Sequence, residues 1–336
     1  NILNRAIVIA GPTVVGKTKT SIDLARKLNA EIISSDSAQV YRGLNIGTAK
    51  ITKEETEGIK HHLIDIVDPI EKYSVGNFEK DVNKILNQNP EKKFLLVGGT
   101  GLYINSVTNG LSTLPEADKK TRDYLATLDS QALLELALKY DEEATKEIHP
   151  NNRVRLERVV EVFFLTGQKF SELSKKNIKN NNFKFLKIAL ERDRENLYDR
   201  INKRVDIMFS EGLVDEVKNL YKIYGEKLYK LNIIGYNEII DYINGMISLD
   251  EANYRIKLNS RHYAKRQFTW FKADKAYQWF NLDRLSEEEI VESIYTMFNI
   301  IAWFNIFYMI LLKSRGVYYE KNYINYYNAF FINIML

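Results

Sequence analysis

Eight residues near the amino end, Gly11-Pro12-Thr13-Val14-Val15-Gly16-Lys17-Thr18, have the types and spacing to grip a polyphosphate. Gly11 and Gly16 let the backbone turn its N–H groups inward, and the following helix start adds positive potential. Lys17 supplies a point charge, and Thr18 presents a hydroxyl to a magnesium ion. The pattern is G-x4-G-K-[ST], a P-loop. It carries weight because an apolar run, Ala6-Ile7-Val8-Ile9-Ala10, precedes it and a helical pattern through Ile22, Leu24, Ala25 and Leu28 follows. The loop specifies a ligand group and leaves the reaction open.

Two further sets of residues could act on such a ligand. Glu31-Ile32-Ile33-Ser34-Ser35-Asp36 reads as a strand that delivers Asp36 at its carboxyl end, where parallel sheets hold ligands; a turn cap is the alternative role. A helix expected over 194–210 puts Arg200 and Arg204 at i and i+4, a pair able to clamp a diphosphate or to lie salt-bridged on the surface. One absence is informative. The run Lys93-Phe94-Leu95-Leu96-Val97 enters Gly98-Gly99 with no acid where P-loop NTPases usually hold magnesium, which argues against a standard ATPase. The four histidines are scattered, so histidine ligation of a metal is not expected. With no cysteine, disulfides, thiolate sites and cysteine nucleophiles are excluded, and a cytoplasmic location is the expectation.

These residues need a scaffold. Apolar runs at 6–10, 31–36, 62–66, 93–97 and 185–190 read as strands, and periodic stretches at 17–28 and 74–86 as crossover helices. Helical patterns at 119–128, 130–140 and 151–166 stand between the fourth and fifth strands. The fold class is therefore α/β, a P-loop NTPase-like parallel sheet flanked by helices, with a mainly helical insertion. The expected domains are a P-loop core over 1–112, an insertion over 113–182, the rest of the core with a basic helix over 183–299, and an atypical apolar and aromatic tail over 300–336. Lys175 to Asn182 reads as a polar surface loop.

Charge is regional. Residues 1–149 hold 19 Lys and Arg against 21 Asp and Glu, whereas residues 150–230 hold 18 against 12. Ser248 and Glu251 form a capping-box signature for a helix to about 272 that carries Arg255, Lys257, Arg261, Lys265, Arg266 and Gln267 before Trp270 and Phe271. Such a surface suits RNA, although a solvated basic face with core aromatics is the plainer reading. Ser286 and Glu289 are a second such signature. Ser293 to Leu312 lacks any charge and is long enough to span a bilayer, yet Asn299 and Asn305 would be costly there, so a core-packed helix or an abnormal extension is favoured over an anchor.

Seven segments in order, GPTVVGKT, SSDSAQVYRGLNIGTAK, HHLIDIVDP, LLVGGTGLYINSV, HPNNRVRLERVVEVF, RVDIMFSEGLVDEV and RHYAKRQFTWFK, resemble the bacterial tRNA dimethylallyltransferase family, also called tRNA isopentenyltransferases. The resemblance covers about residues 5–299. It implies transfer of a dimethylallyl group from dimethylallyl diphosphate to the exocyclic amine of the adenosine 3′ of the anticodon, with Mg2+. By the same resemblance Gly11 to Thr18 would hold the donor's diphosphate, Asp36 would be the general base, and Thr18 and Arg204, with Arg200 nearby, would meet the leaving group. Asp36, Ser37, Ala38, Gln39, Thr100, Arg122, Val154, Arg155, Leu156, Glu157, Arg158, Arg266 and Gln267 would face tRNA. The segment Asn232 to Asn237 departs from the more basic or small-residue version expected there. The implied partners are the tRNA anticodon stem-loop and the donor; a monomer without a stable protein partner, off the membrane, is expected. A small-molecule kinase or NTPase, a prenyltransferase of free adenine nucleotides and a non-catalytic RNA-binding module are the alternatives.

Overall fold

The computed structural model describes residues 6–110, 114–176 and 185–314. In chain order the elements are β1 (Ala6–Ala10), α1 (Lys17–Leu28), β2 (Ala30–Ser35), β3 (His61–His62), α2 (Val75–Gln88), β4 (Lys93–Gly98) and α3 (Gly101–Thr108). There follow α4 (Lys119–Ala126), α5 (Ser130–Tyr140), α6 (Glu142–Lys146), α7 (Arg153–Thr166) and α8 (Phe170–Lys176). The chain then continues through β5 (Phe185–Glu191), α9 (Arg194–Ser210), α10 (Leu213–Tyr224), α11 (Glu226–Lys230), α12 (Tyr236–Ile243), α13 (Leu249–Ala273), β6 (Gln278–Asn281) and α14 (Glu287–Ser314). The chain divides into two compact units, Asn1–Ile104 with Asn182–Leu336, and Asn105–Asn181. The boundaries expected at 112/113 and 182/183 fall outside the described residues, as does most of the polar run expected as a loop over 175–182.

The first unit is built on a six-stranded parallel sheet of order β3-β2-β4-β1-β5-β6. β1 lies inside it: Ile7 is level with Leu95 and Leu186, and Ile9 with Val97 and Ile188. All five residues of β1 are buried, as a strand covered on both faces requires. Ile22, Leu24, Ala25 and Leu28 of α1 join that core, together with Ile290, Val291, Ile294 and Phe298 of α14. The charge-free stretch thus starts as a core helix, opened by the expected reciprocal bonds between Ser286 and Glu289. Among the described residues no helix is long and apolar enough to cross a membrane. Of the tail expected over 300–336, residues 315–336 lie outside the described residues.

Three local expectations are corrected. The third strand is two residues long, not five, because Leu63 and Asp65 adopt left-handed φ of 63° and 54° and turn the chain out of the sheet. β6 was not foreseen: Gln-Trp-Phe-Asn has no apolar run, and an edge strand needs none. At the start of α13, Ser248 accepts the Glu251 N–H at 3.1 Å, but the Glu251 carboxylate takes Arg255 instead of closing the box.

The second unit packs α5 on α7 around Leu125, Leu133, Ala137, Leu156, Val159 and Val160. Aspartates cap its helices: Asp118 accepts the Thr121 N–H at 2.8 Å and Asp129 the Ala132 N–H at 2.8 Å.

Candidate active site

β1 hands the chain directly to the phosphate loop. Val14 holds φ at 64°, a costly conformation for a β-branched residue, and three tertiary bonds fix it there. The Thr13 N–H donates to Gln267 Oε1 at 2.9 Å, Arg200 Nε to the Val14 carbonyl at 3.3 Å, and Arg192 Nε to the Val15 carbonyl at 2.8 Å. At Gly11 (φ 150°) a Cβ would stand 2.7 Å from the Leu190 carbonyl oxygen, so the loop lies tight against β5. Lys17 folds back, donating from Nζ to the Gly11 and Pro12 carbonyls at 2.9 and 2.7 Å. Burial pulls its ammonium down to about 8, against the opposing pull of the Asp36 charge.

β2 ends at Ser35, so Asp36 is the first residue beyond the strand. Its Oδ1 accepts the N–H groups of Ala38 and Gln39 at 2.8 and 3.2 Å, while Oδ2 has no hydrogen-bond partner among the described residues. The turn cap thus engages one oxygen and leaves the other without a partner among those residues. The Ser37 N–H donates to Thr100 Oγ1 at 3.1 Å, which ties this turn to the start of α3.

The missing acid after β4 has a steric cause. A Cβ on Gly98 would lie 2.2 Å from the Ser35 carbonyl oxygen, and one on Gly99 would lie 2.1 Å from Gln267 Nε2. The β2 backbone thus leaves no room for a side chain at Gly98, and at Gly99 the Gln267 amide fills the space. Gln267 is buried, and its amide joins the two loops by also donating to the Gly99 carbonyl at 3.0 Å. Both ends of its side chain are thus engaged inside the protein, at a cavity wall.

Two cavities meet here. The smaller, about 440 Å³, is lined by Gly16, Lys17, Thr18, Gln39, Arg200 and Gln267. The larger, about 620 Å³, is lined by Ser37, Ala38, Tyr41, Tyr73, Tyr103 and Arg266. Asp36, Thr13, Val14, Thr48, Ala49, Arg204 and Tyr263 belong to both walls. Tyr263 is a residue that the sequence did not single out, although it precedes Gln267 by one helical turn. Burial, then the Asp36 charge, push its phenol up to about 12, so it is a neutral hydrogen-bonding group at neutral pH. Arg192 was also missed. It sits in the charged run Glu191-Arg192-Asp193-Arg194, where nothing local marks the one side chain that turns in to the loop.

Magnesium can be tested against these groups. Thr18 is exposed and, with Asp36, lines the smaller cavity. Among the described residues no three His, Cys, Asp or Glu are grouped to hold a metal. A hydroxyl and a carboxylate lining one cavity fit an ion that takes its other ligands from a phosphate and water, the usual habit of magnesium.

The helical unit receives the other expected tRNA residues differently. Leu156 is 1% exposed, its side chain in that unit's core, and the half-buried Glu157 accepts Arg153 Nε at 2.7 Å. Arg122 and Arg158 both donate to the buried Glu161 carboxylate, Nε at 2.8 Å and Nη1 at 2.6 Å respectively. Val154, 76% exposed, and Arg155 face outward.

The profile of the IPP transferase family matches residues 39–274. A tRNA dimethylallyltransferase of Fusobacterium nucleatum subsp. nucleatum is 88% identical over 302 residues, 90% of this chain and 100% of that protein. The crystal structure of a tRNA isopentenylpyrophosphate transferase from Bacillus halodurans superimposes with a TM-score of 0.66 at 40% identity, covering 88% of this chain and 95% of its own. A eukaryotic dimethylallyltransferase captured acting on tRNA superimposes with a TM-score of 0.73 at 29% identity, covering 85% of this chain and 78% of its own.

Proposed function

The chain belongs to the IPP transferase family of tRNA-modifying prenyltransferases, and from that premise we propose which groups carry the transfer and where each reactant sits. Dimethylallyl diphosphate lies in the smaller cavity with its diphosphate on the phosphate loop. The adenine 3′ of the anticodon enters the larger one. Asp36 stands at their common wall, and that position is the observation that carries the reading.

The amine of adenine is a poor nucleophile because its lone pair is drawn into the ring. Asp36 Oδ2 takes a proton from it as the new carbon–nitrogen bond forms, while Oδ1 keeps the turn in place. The carbon–oxygen bond to the diphosphate breaks and the diphosphate leaves with the electron pair. Its growing charge meets the loop N–H groups, Lys17, Arg200 and Arg204. For this Lys17 must exchange its two carbonyl partners for phosphate oxygens, which raises its affinity for a proton. Magnesium, when bound, is held at Thr18 and neutralises part of the same charge.

The target base must first leave the stacked anticodon loop, at a cost of a few kcal/mol. Ser37 and Ala38 at the larger cavity, Arg266 beside them, and the exposed Arg155 and Val154 are the groups open to RNA. The enzyme acts as a cytoplasmic monomer. Incubation with labelled dimethylallyl diphosphate and bulk tRNA, followed by nucleoside analysis, should give one prenylated adenosine 3′ of the anticodon. Equal labelling of AMP and of an anticodon stem-loop would sink the reading.

A further inference from the structure

The P-loop and Asp36 leave one feature of the cavity wall unexplained. Gly47, Thr48 and Ala49 line the larger cavity, and Thr48 and Ala49 line both, yet this stretch belongs to no helix or strand. It is held from outside. Three successive backbone N–H groups, of Asn45, Ile46 and Gly47, converge on the carboxylate of Glu216 at 3.3, 2.8 and 3.2 Å. Consecutive N–H groups turned to one point form an anion-binding hollow, and here the protein's own carboxylate fills it. Tyr236, fully buried, donates its hydroxyl to the same carboxylate at 2.5 Å. Its side chain lies close against the loop: a Cβ on Gly47 would stand 2.5 and 2.7 Å from two ring carbons and 2.8 Å from the hydroxyl oxygen. Burial and the Glu216 charge push the Tyr236 phenol far above its usual range, so it stays a donor.

The loop in turn grips the turn that contains Asp36. Gln39 Nε2 donates to the carbonyls of Thr48 and Ala49 at 3.1 and 3.4 Å, and the Gln39 N–H donates to Asp36 Oδ1 at 3.2 Å. A continuous path of hydrogen bonds therefore runs from Glu216 on α10, through the loop, to the carboxylate at the centre of the site. We propose that Glu216 and Tyr236 are positioning residues for prenyl transfer: they fix residues 45–49, and through Gln39 the orientation of Asp36, without touching either reactant. The proposal rests on the reading of Asp36 given above.

The test compares wild type with Glu216→Gln and Tyr236→Phe in single-turnover and steady-state transfer to an anticodon stem-loop, well below each protein's melting temperature. A glutamine keeps the size but removes the charge that holds three donors, and phenylalanine keeps the ring but removes the hydroxyl. The turnover number should fall about tenfold or more for Glu216→Gln and a few-fold for Tyr236→Phe, with the KM for dimethylallyl diphosphate moving less than about threefold. Amide exchange at Ile46 and Gly47 should be slow in wild type and should quicken in Glu216→Gln. Lower melting temperatures with unchanged turnover would mean a purely structural clamp and overturn the proposal. If Glu216→Gln does not fold, Tyr236→Phe carries the same test, and fast exchange of these amides in wild type would overturn it alone. Failure of wild type to prenylate would instead strike the functional reading.

Discussion

Two helices of this protein carry arginines a turn or so apart, and the structure surrounds them in opposite ways. On α9, Arg200 and Arg204 line the phosphate-loop cavity, and neither forms an ion pair with a carboxylate among the described residues; Arg200 is held only by the Val14 carbonyl. Burial and the nearby Arg192 charge hold the Arg200 guanidinium below its usual range, a cost that an incoming anion relieves. On α7, Arg153 lies on Glu157 and Arg158 on Glu161, which also takes Arg122 from α4. Burial alone would push the Glu161 carboxyl up, but hydrogen bonds from Arg122, Arg158 and the Asp118 N–H outweigh it and keep it below the usual carboxylate range. The lesson is that a basic residue signals a binding site only if its charge is left unmatched. What stands opposite it decides that, not the arginine or its spacing.

The contrast can be broken most forcefully on the α9 side. Asp36→Asn keeps an oxygen for the Ala38 and Gln39 N–H groups but cannot take a proton, so single-turnover prenyl transfer should fall by about 10²–10⁴-fold with tRNA binding within a few-fold of wild type. A large loss of binding would make the residue structural. Next in size, Lys17→Ala should lower turnover and donor affinity together by about 10²-fold or more. Lys17 also predicts a pH dependence. Its ammonium, near 8 in the free protein, is charged below that value and neutral above it, so the KM for the donor should rise as pH goes from 7 to 9. A Lys17→Arg variant, charged throughout, should flatten that rise; parallel profiles would remove Lys17 from donor binding.

On the α7 side the effects are on stability. Glu161→Gln should cost about 1–3 kcal/mol in denaturant unfolding at pH 7, because two arginines lose a buried charged acceptor, moderated by the access of Arg122 to water. Turnover below the unfolding transition should hold within twofold. The carboxyl is depressed in the folded state, so its contribution is present above the unfolded value of about 4.5 and lost as pH falls through the native one. Wild type and variant should therefore converge in acid, and a constant gap would refute the ion cluster. The smallest expected effect is that of Arg155→Ala, a few-fold loss of tRNA affinity with the salt-dependence slope reduced by about one. An unchanged slope would take Arg155 off the RNA.

Much of the site could be read in the chain itself. The phosphate loop follows a buried strand and opens a helix, as its glycines and flanking apolar periodicities require, and Asp36 falls at the end of β2 as expected. The reading of the insertion as helical rested on the same kind of local signal. Local signal does not reach a residue's packing against a distant partner. Leu156 lies within the segment of α7 that was matched as a unit, and only packing reveals it as core. Glu216 and Tyr236 carry no motif, because the loop they hold is some 170 residues earlier in the chain.

Sequence alone determined the glycine loop, the sheet and the carboxylate at the end of β2, because strand and helix periodicities and the glycines of a tight loop act over neighbouring residues. Tertiary structure decided which oxygen of Asp36 holds the turn, which arginines are paired with a carboxylate among the described residues, that β2 leaves no room for a side chain at Gly98, and that Gln267 braces the loop. These depend on contacts such as Thr13 to Gln267, across 254 positions. Such contacts are set by how the sheet and its helices pack, and no local pattern encodes them.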